Sequence, residues 1–315
     1  MSQILHHIIR SLLLRIRSNS YLYPPLSQTT DAELAQRIIY DLLTSNSPCM
    51  IARLGSVELQ AVIDYLYPPS LSNAYRFVKS TIPAWGYAPS TQRTMHINAG
   101  FFPSNPHNLN LFGELMIDCM KNVDILGSWR PEEVELEPFI SQSIKVPLYS
   151  LEPYYFSHNW MPALEGKKVL VIHPFEGTIR KQYPYLKKLF KNPEMAPSYK
   201  LITIKAVQSI AGNRPEIFND WFEALEWMKR QIDEKDFDIA IIGCGAYGFP
   251  LAAYVKQIGK KAIHLGGATA NLFGIRSNAV DQNIELGKLV NDYWVRASLD
   301  ETPTGIEKVE RARYW

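Results

Sequence analysis

Cysteine is scarce in this sequence: Cys49, Cys119 and Cys244 are the only three in 315 residues, and their spacing matches no disulfide framework or zinc knuckle. They read as reduced core thiols of a cytosolic protein. Charge of one sign is lacking as well. A net charge of +2 offers no global electrostatic case for nucleic acid, and none is expected as a partner. No apolar run is long enough to cross a bilayer. Repeats and low-complexity tracts are absent too. What remains is an ordinary globular composition, 46% hydrophobic and 20% charged, that suits one large α/β domain or two smaller ones.

Acidic residues are missing from the N-terminus until Asp31. Over the same stretch Ile4, Leu5, Ile8, Ile9, Leu12, Leu13 and Ile16 form a helical stripe interrupted by Arg10, Arg15 and Arg17. The arginines and the lack of a small-residue cleavage site argue against a signal peptide. Two readings stay open for residues 4–17. The stripe lies on an anionic membrane surface, or it docks on the domain or a second subunit.

The densest chemistry lies in residues 237–269. A short β-branched run at 239–242 is followed by Gly243, Gly245 and Gly248 in Gly-x-Gly-x-x-Gly spacing. A helical pattern closes at Gly259, and a second run at 262–265 ends in Gly266-Gly267. This is strand, glycine turn, helix, strand. Such a turn lets the backbone bend and brings unpaired helix N–H groups to a ligand, for which phosphate is the natural guest. A dinucleotide site also needs an acid near the end of the second strand. His264 stands there instead, and no acid occurs between Gly243 and Asp281, which argues against NAD or FAD. The alternatives are a nucleotide phosphate site and a turn that merely packs a helix on a sheet.

Strand-like runs at 49–52, 123–126, 146–148, 169–172 and 201–204 precede this unit, with helical patterns between them. Thr30-Asp31 can cap a helix carrying Leu34, Ile38, Leu42 and Leu43 on one face, after a linker begun by Tyr23-Pro24-Pro25. Residues 71–106 and 151–163 are irregular and aromatic, so they read as loops that stack on sugar or base rings or as lids. The alternation predicts a mostly parallel sheet covered on both faces by helices. The expected organisation is an amphipathic helix in residues 1–22, one α/β domain in 30–295 and a peripheral tail in 296–315.

In such a sheet ligands sit beyond the carboxyl ends of the strands. Four clusters collect there: Arg53-x-Gly55-Ser56-x-Glu58, His173-Pro174-Phe175-Glu176, Gly243 to Gly248 with Tyr247, and His264 to Thr269 with Gly266 and Gly267. Ser56 is a good N-cap and Glu58 a first-turn helix acid; both could equally touch a ligand. His173, by intrinsic pKa, and Glu176, if burial raised its own, are candidate bases for activating a hydroxyl. A histidine at a strand end can also be purely structural.

Arg53-Leu-Gly-Ser-Val-Glu58 resembles the Arg-Phe-Gly-Asp-Gly-Glu turn of bacterial GT-D-type glycosyltransferases, and residues 237–275 resemble that family's C-terminal half. The resemblance implies a Rossmann-like sheet and transfer of a sugar from a nucleotide-diphosphate donor to a glycan or lipid-linked acceptor in surface-glycan assembly. It implies cytoplasmic chemistry, peripheral on the inner membrane face if the first helix binds lipid. It gives Glu58 a role as ligand of Mn²⁺ or Mg²⁺ on the diphosphate, and Arg53, Gly55, Ser56, Gly243, Gly245, Tyr247, Gly248, Gly266, Gly267 and Thr269 places around the donor. Ser56 stands where the family has Asp, and a hydroxyl is a poor substitute for a carboxylate on such a metal. A second acid such as Glu176 would then complete the metal site, or Arg53, Arg180 and helix N-termini would neutralise the diphosphate without one. A non-catalytic nucleotide-binding or scaffold protein of glycan assembly is the competing class, and another Rossmann-type nucleotide-dependent enzyme is the competing chemistry.

Overall fold

The computed structural model describes residues 3–17, 19–24 and 30–315. The later part of the expected linker, from Pro25 to residue 29, lies outside them. Seven short, mostly buried strands build one sheet: β1 (Cys49–Ala52), β2 (Ile125–Ser128), β3 (Ile144–Pro147), β4 (Lys168–His173), β5 (Lys200–Lys205), β6 (Ile239–Ile242) and β7 (Lys261–His264). Their order is β3-β2-β1-β7-β6-β4-β5, and every pairing is parallel. The Rossmann-like α/β architecture expected from the alternation is therefore present. β8 (Ile275–Arg276) and β9 (Val295–Arg296) form a separate two-stranded pair.

Helices α1 (Gln3–Ile16), α2 (Ala32–Thr44), α3 (Ser56–Leu66), α4 (Leu71–Val78), α5 (Pro89–Ile97), α6 (Pro106–Met120), α7 (Glu137–Ile140), α8 (Glu176–Gln182), α9 (Leu186–Leu189), α10 (Trp221–Asp233), α11 (Gly248–Gln257), α12 (Asn278–Gln282) and α13 (Ile284–Gly287) surround the sheet. The two-residue period of the strands divides their side chains between two cores. Met50, Ala52, Leu170, Ile172, Ala240 and Ile242 pack with α3, α6, α10 and α11 on one face. Cys49, Ile51, Val169, Val171, Ile239 and Ile241 pack with α2, α8 and the 3₁₀ helix Gly266–Phe273 on the other. This two-sided burial is why β1 and β6 are apolar without interruption.

The same division positions the site. After β1 and β6 the chain enters helices on the first face; after β4 and β7 it goes to the second. Across the central run β1-β7-β6-β4, neighbouring strands thus send the chain to opposite faces. A crevice must open at their carboxyl ends.

Three local expectations need correction. Residues 71–106 contain two helices, α4 and α5; Trp85, Phe101 and Phe102 are buried, so most of the aromatic residues there are core. Trp160 is buried as well, donating its indole N–H to Leu151 O at 3.1 Å. On α2, capped by Asp31 as expected, the buried face is Ala35, Ile39 and Leu43, while Leu34 is exposed. Lastly, residues 296–315 fold back on the domain. Glu301 is buried, and its carboxylate accepts from Gly177 N at 2.6 Å and Thr178 N at 3.2 Å.

The first helix divides its apolar residues. Ile9 and Leu13 pack against Phe77, Ile82 and Trp85, His6 stacks on Trp85, and Arg10 donates to Trp85 O at 2.9 Å. Ile4, Leu5, Ile8, Leu12 and Ile16 remain exposed on its outer side. Among the described residues no helix is long and apolar enough to cross a membrane.

Candidate functional site

The crevice at the carboxyl ends of β1, β7, β6 and β4 encloses a cavity of about 560 Å³, within the usual range for small-molecule sites. Each strand contributes through the turn that follows it.

After β1, Gly55 is the N-cap of α3 and supplies no side-chain cap; Ser56 is the first helical residue, not the cap expected for it. Glu58 folds back so tightly that a Cβ on Gly55 would lie 1.9 Å from its Oε2. A side chain at 55 would have to displace that carboxylate. Burial raises the Glu58 carboxyl above its ordinary value, while its own backbone N–H and Arg53 oppose the rise. Arg53 stretches along the turn after β7, where a Cβ on Gly266 would be 3.6 Å from its Cδ and Nη1. Its guanidinium lies over the Trp129 ring, 5.2 Å from the centroid, and Trp129 is fixed by an indole bond to Leu54 O at 3.0 Å. Among the described residues Arg53 has no hydrogen bond or ion pair. It is a cation held in place with Glu58, Glu133 and Glu152 in electrostatic reach and no carboxylate in direct contact among the described residues.

The Gly-x-Gly-x-x-Gly turn after β6 behaves otherwise. A Cβ on Gly243 would meet Gly266 O at 2.4 Å and Thr269 Oγ1 at 2.6 Å. A Cβ on Gly248 would meet the His264 ring at 2.2 Å. Both close approaches are filled by this chain's own atoms. Thr269 is fully buried, donating to Ile242 O at 3.2 Å, and neither it nor Gly248 lines the cavity. Tyr247 is stacked on Trp221 with ring centroids 4.9 Å apart, and its hydroxyl is spent on Ser209 at 3.1 Å. Gly245, at φ +58°, does face the cavity with Cys244 and Ala246.

The histidines are held neutral. His173 lines the cavity, but its Nδ1 accepts from Phe175 N at 3.0 Å, and burial pushes its pKa down to about 3. His264 is also pushed to about 3, chiefly by burial and then by Arg53; its Nδ1 lies 3.2 Å from Ile242 O. Glu176 points away from the cavity, pairing with Arg180 at 3.1 Å and accepting from Thr203 Oγ1. The structure thus brings Arg53, Gly55, Ser56, Glu58, His173, Gly243, Gly245, Tyr247, Gly266 and Gly267 to one cavity and leaves Glu176, Arg180, Gly248 and Thr269 outside its lining. Among the described residues, no group of three or more His, Cys, Asp or Glu is placed to hold a metal ion.

Several lining residues escaped the sequence reading. Glu152 is a second cavity carboxylate; burial raises it, Tyr154 donates to it and Arg53 opposes the rise. Trp129 follows β2, so its position one residue past a strand end was the available signal. Tyr155, by contrast, belongs to the aromatic run expected to stack on rings, and it alone of residues 154–160 faces the cavity. The C-terminal residues Val309, Glu310, Arg313, Tyr314 and Trp315 wall one side. Tyr314 sits directly over Gly267, where a Cβ would be 2.8 Å from its ring. Trp315 meets Phe175 edge-on at 5.8 Å. The segment is held by Asn278 N donating to Trp315 O at 2.8 Å and Ala279 N donating to Arg313 O at 2.8 Å. It turns through three consecutive non-glycine residues with positive φ, Glu310, Arg311 and Ala312. Such a conformation costs roughly 1–2 kcal/mol per residue.

No family model, curated protein sequence or solved structure matches this chain significantly.

Proposed function

We propose that the cavity binds a nucleotide-diphosphate sugar and that the protein transfers the sugar to a glycan or lipid-linked acceptor. The observation carrying this reading is Arg53: a guanidinium stacked on Trp129 at the mouth of a helix N-terminus, with no carboxylate paired to it among the described residues. A charged hydrogen bond from such a donor contributes roughly 1.5–3 kcal/mol, so a diphosphate gains most where a guanidinium is already positioned. Of the cavity carboxylates, Glu58 and Glu152 both interact electrostatically with Arg53. Glu152 replaces Glu176 as the acid available to an acceptor hydroxyl or to a Mn²⁺ or Mg²⁺ ion beside Glu58. Tyr155 and Trp129 supply ring surface for a base or sugar. NAD fits poorly, because the end of β7 offers the buried His264 ring where a ribose acid is needed.

The second reading, a non-catalytic nucleotide-binding or scaffold protein, is favoured by the way Glu58 is folded onto Gly55 and its own backbone. In either reading the exposed outer side of α1 would set the protein on the inner membrane face, close to a lipid-linked acceptor. A thermal-shift panel of UDP, GDP, UDP-sugars and NAD, with and without Mn²⁺, tests the ligand. Saturation to about 100 times Kd adds ~2.7 kcal/mol to stability. A shift with NAD alone would reject the transferase reading, and turnover of a UDP-sugar separates enzyme from binding module.

A further inference from the structure

We propose that residues 309–315 are an autoinhibitory strap, closed over the Arg53 end of the cavity and displaced when the ligand binds. The inference rests on the anionic-ligand reading of that cavity and adds its regulation. Three independent observations carry it.

The first is position. Gly266 and Gly267 form the turn after β7; Arg53 runs over the first and the Tyr314 ring covers the second. Glycines there leave room for close approach to the backbone, and Tyr314 occupies that room beside the unpaired guanidinium. A ligand that reaches both Arg53 and the Gly266–Gly267 backbone must take the place of this ring. The second is attachment. The strap is held by contacts at its ends and along its backbone: Asn278 N and Arg296 Nη1 donate to Trp315 O, at 2.8 and 2.7 Å, Ala279 N donates to Arg313 O, Asn278 Nδ2 donates to Ala312 O at 3.0 Å, Trp315 packs on the second core, and Val309 is buried. Tyr314 itself keeps 39% of its surface exposed, so its seat is shallow. The third is conformation. Glu310, Arg311 and Ala312 are all left-handed, a backbone state L residues hold only when their surroundings impose it. That backbone strain opposes the contacts holding the strap and lowers the cost of releasing it, as a displaceable element requires.

The test is isothermal titration of UDP and GDP into the wild-type chain and into Tyr314→Ala, with hydrogen exchange followed at the Asn278 and Ala279 amides. Tyr314 is at the surface and its removal leaves the sheet and both cores untouched; matching melting curves check this. The strap predicts at least fivefold tighter binding by Tyr314→Ala. It also predicts faster exchange at Asn278 and Ala279 when wild type is saturated, because their acceptors leave. Weaker binding by Tyr314→Ala with slower exchange would make the segment a fixed wall of the site and overturn the proposal. Equal affinity with unchanged exchange would overturn it too, leaving the ligand reading intact. Binding by neither chain would remove the ligand reading, and the strap with it.

Discussion

The two glycine turns at the heart of the sheet edge look alike in sequence and do opposite things. After β6, Gly243 and Gly248 make room for this chain's own Gly266 carbonyl, Thr269 and His264. After β1, Gly55 makes room for Glu58, and the turn leaves Arg53 without a hydrogen bond or ion pair among the described residues. The richer motif thus spends Gly243 and Gly248 on packing and offers the cavity Gly245, while the poorer one brings a guanidinium to it. Glycine spacing reports that something approaches the backbone closely; only the neighbouring side chains say whether it is ligand or protein.

The sharpest way to break this comparison is Gly243→Ala. Its Cβ would meet backbone, which cannot rotate away, so a loss of roughly 3 kcal/mol, the upper end for overpacking, is expected in urea denaturation. Gly248→Ala meets a side chain instead and should cost ~2 kcal/mol, with His264→Ala recovering part of it in the double variant. If Gly248→Ala were neutral for stability yet abolished nucleotide binding, the turn after β6 would be a ligand site after all.

The two turns should also titrate with opposite signs. His264 has its pKa depressed to about 3, so between pH 6.5 and that value the unfolded chain binds a proton the folded chain refuses. Its contribution falls as pH falls, by ~1.4 kcal/mol at pH 5.5, and a His264→Gln variant should lack that slope. Glu58 has its pKa raised, so the folded chain holds the proton more tightly and stability is lost as pH rises out of the ordinary carboxylate range. Glu58→Gln should remove that opposite slope. Parallel slopes for both residues in denaturation against pH would show that the turns are not different environments.

The smallest effect is expected from Ser56→Asp. As the first residue of α3 it adds a helix-dipole gain of ~0.3–1 kcal/mol, and under the transferase reading it strengthens Mn²⁺-dependent UDP binding beside Glu58. Stabilisation without any change in metal dependence would confine residue 56 to helix chemistry.

Local pattern made the sheet legible. The β1 run at 49–52 and the β6 run at 239–242 coincide with observed strands, because four consecutive apolar residues between turn formers have few other homes in an α/β chain. Their convergence on one edge follows from strand direction alone. The fate of individual glycines was not legible, since it depends on His264, Thr269 and Gly266 arriving from another strand end. Trp85, Phe101 and Trp160 were misread for a related reason: an aromatic in an irregular stretch shows no period that would mark it as core. The C-terminal wall was invisible altogether. Tyr314 reaches Gly267 across the whole site, and a charged segment gives no hint of a partner that far away in sequence.

The most direct test is calorimetric titration of UDP into wild type and Arg53→Ala, in the native chain and again in the Tyr314→Ala background. The account predicts that Arg53→Ala weakens UDP at least tenfold in both backgrounds while the melting temperature stays within a few degrees, since the guanidinium serves the cavity and not the fold. Unchanged UDP affinity in Arg53→Ala would contradict it and remove the turn after β1 from the site.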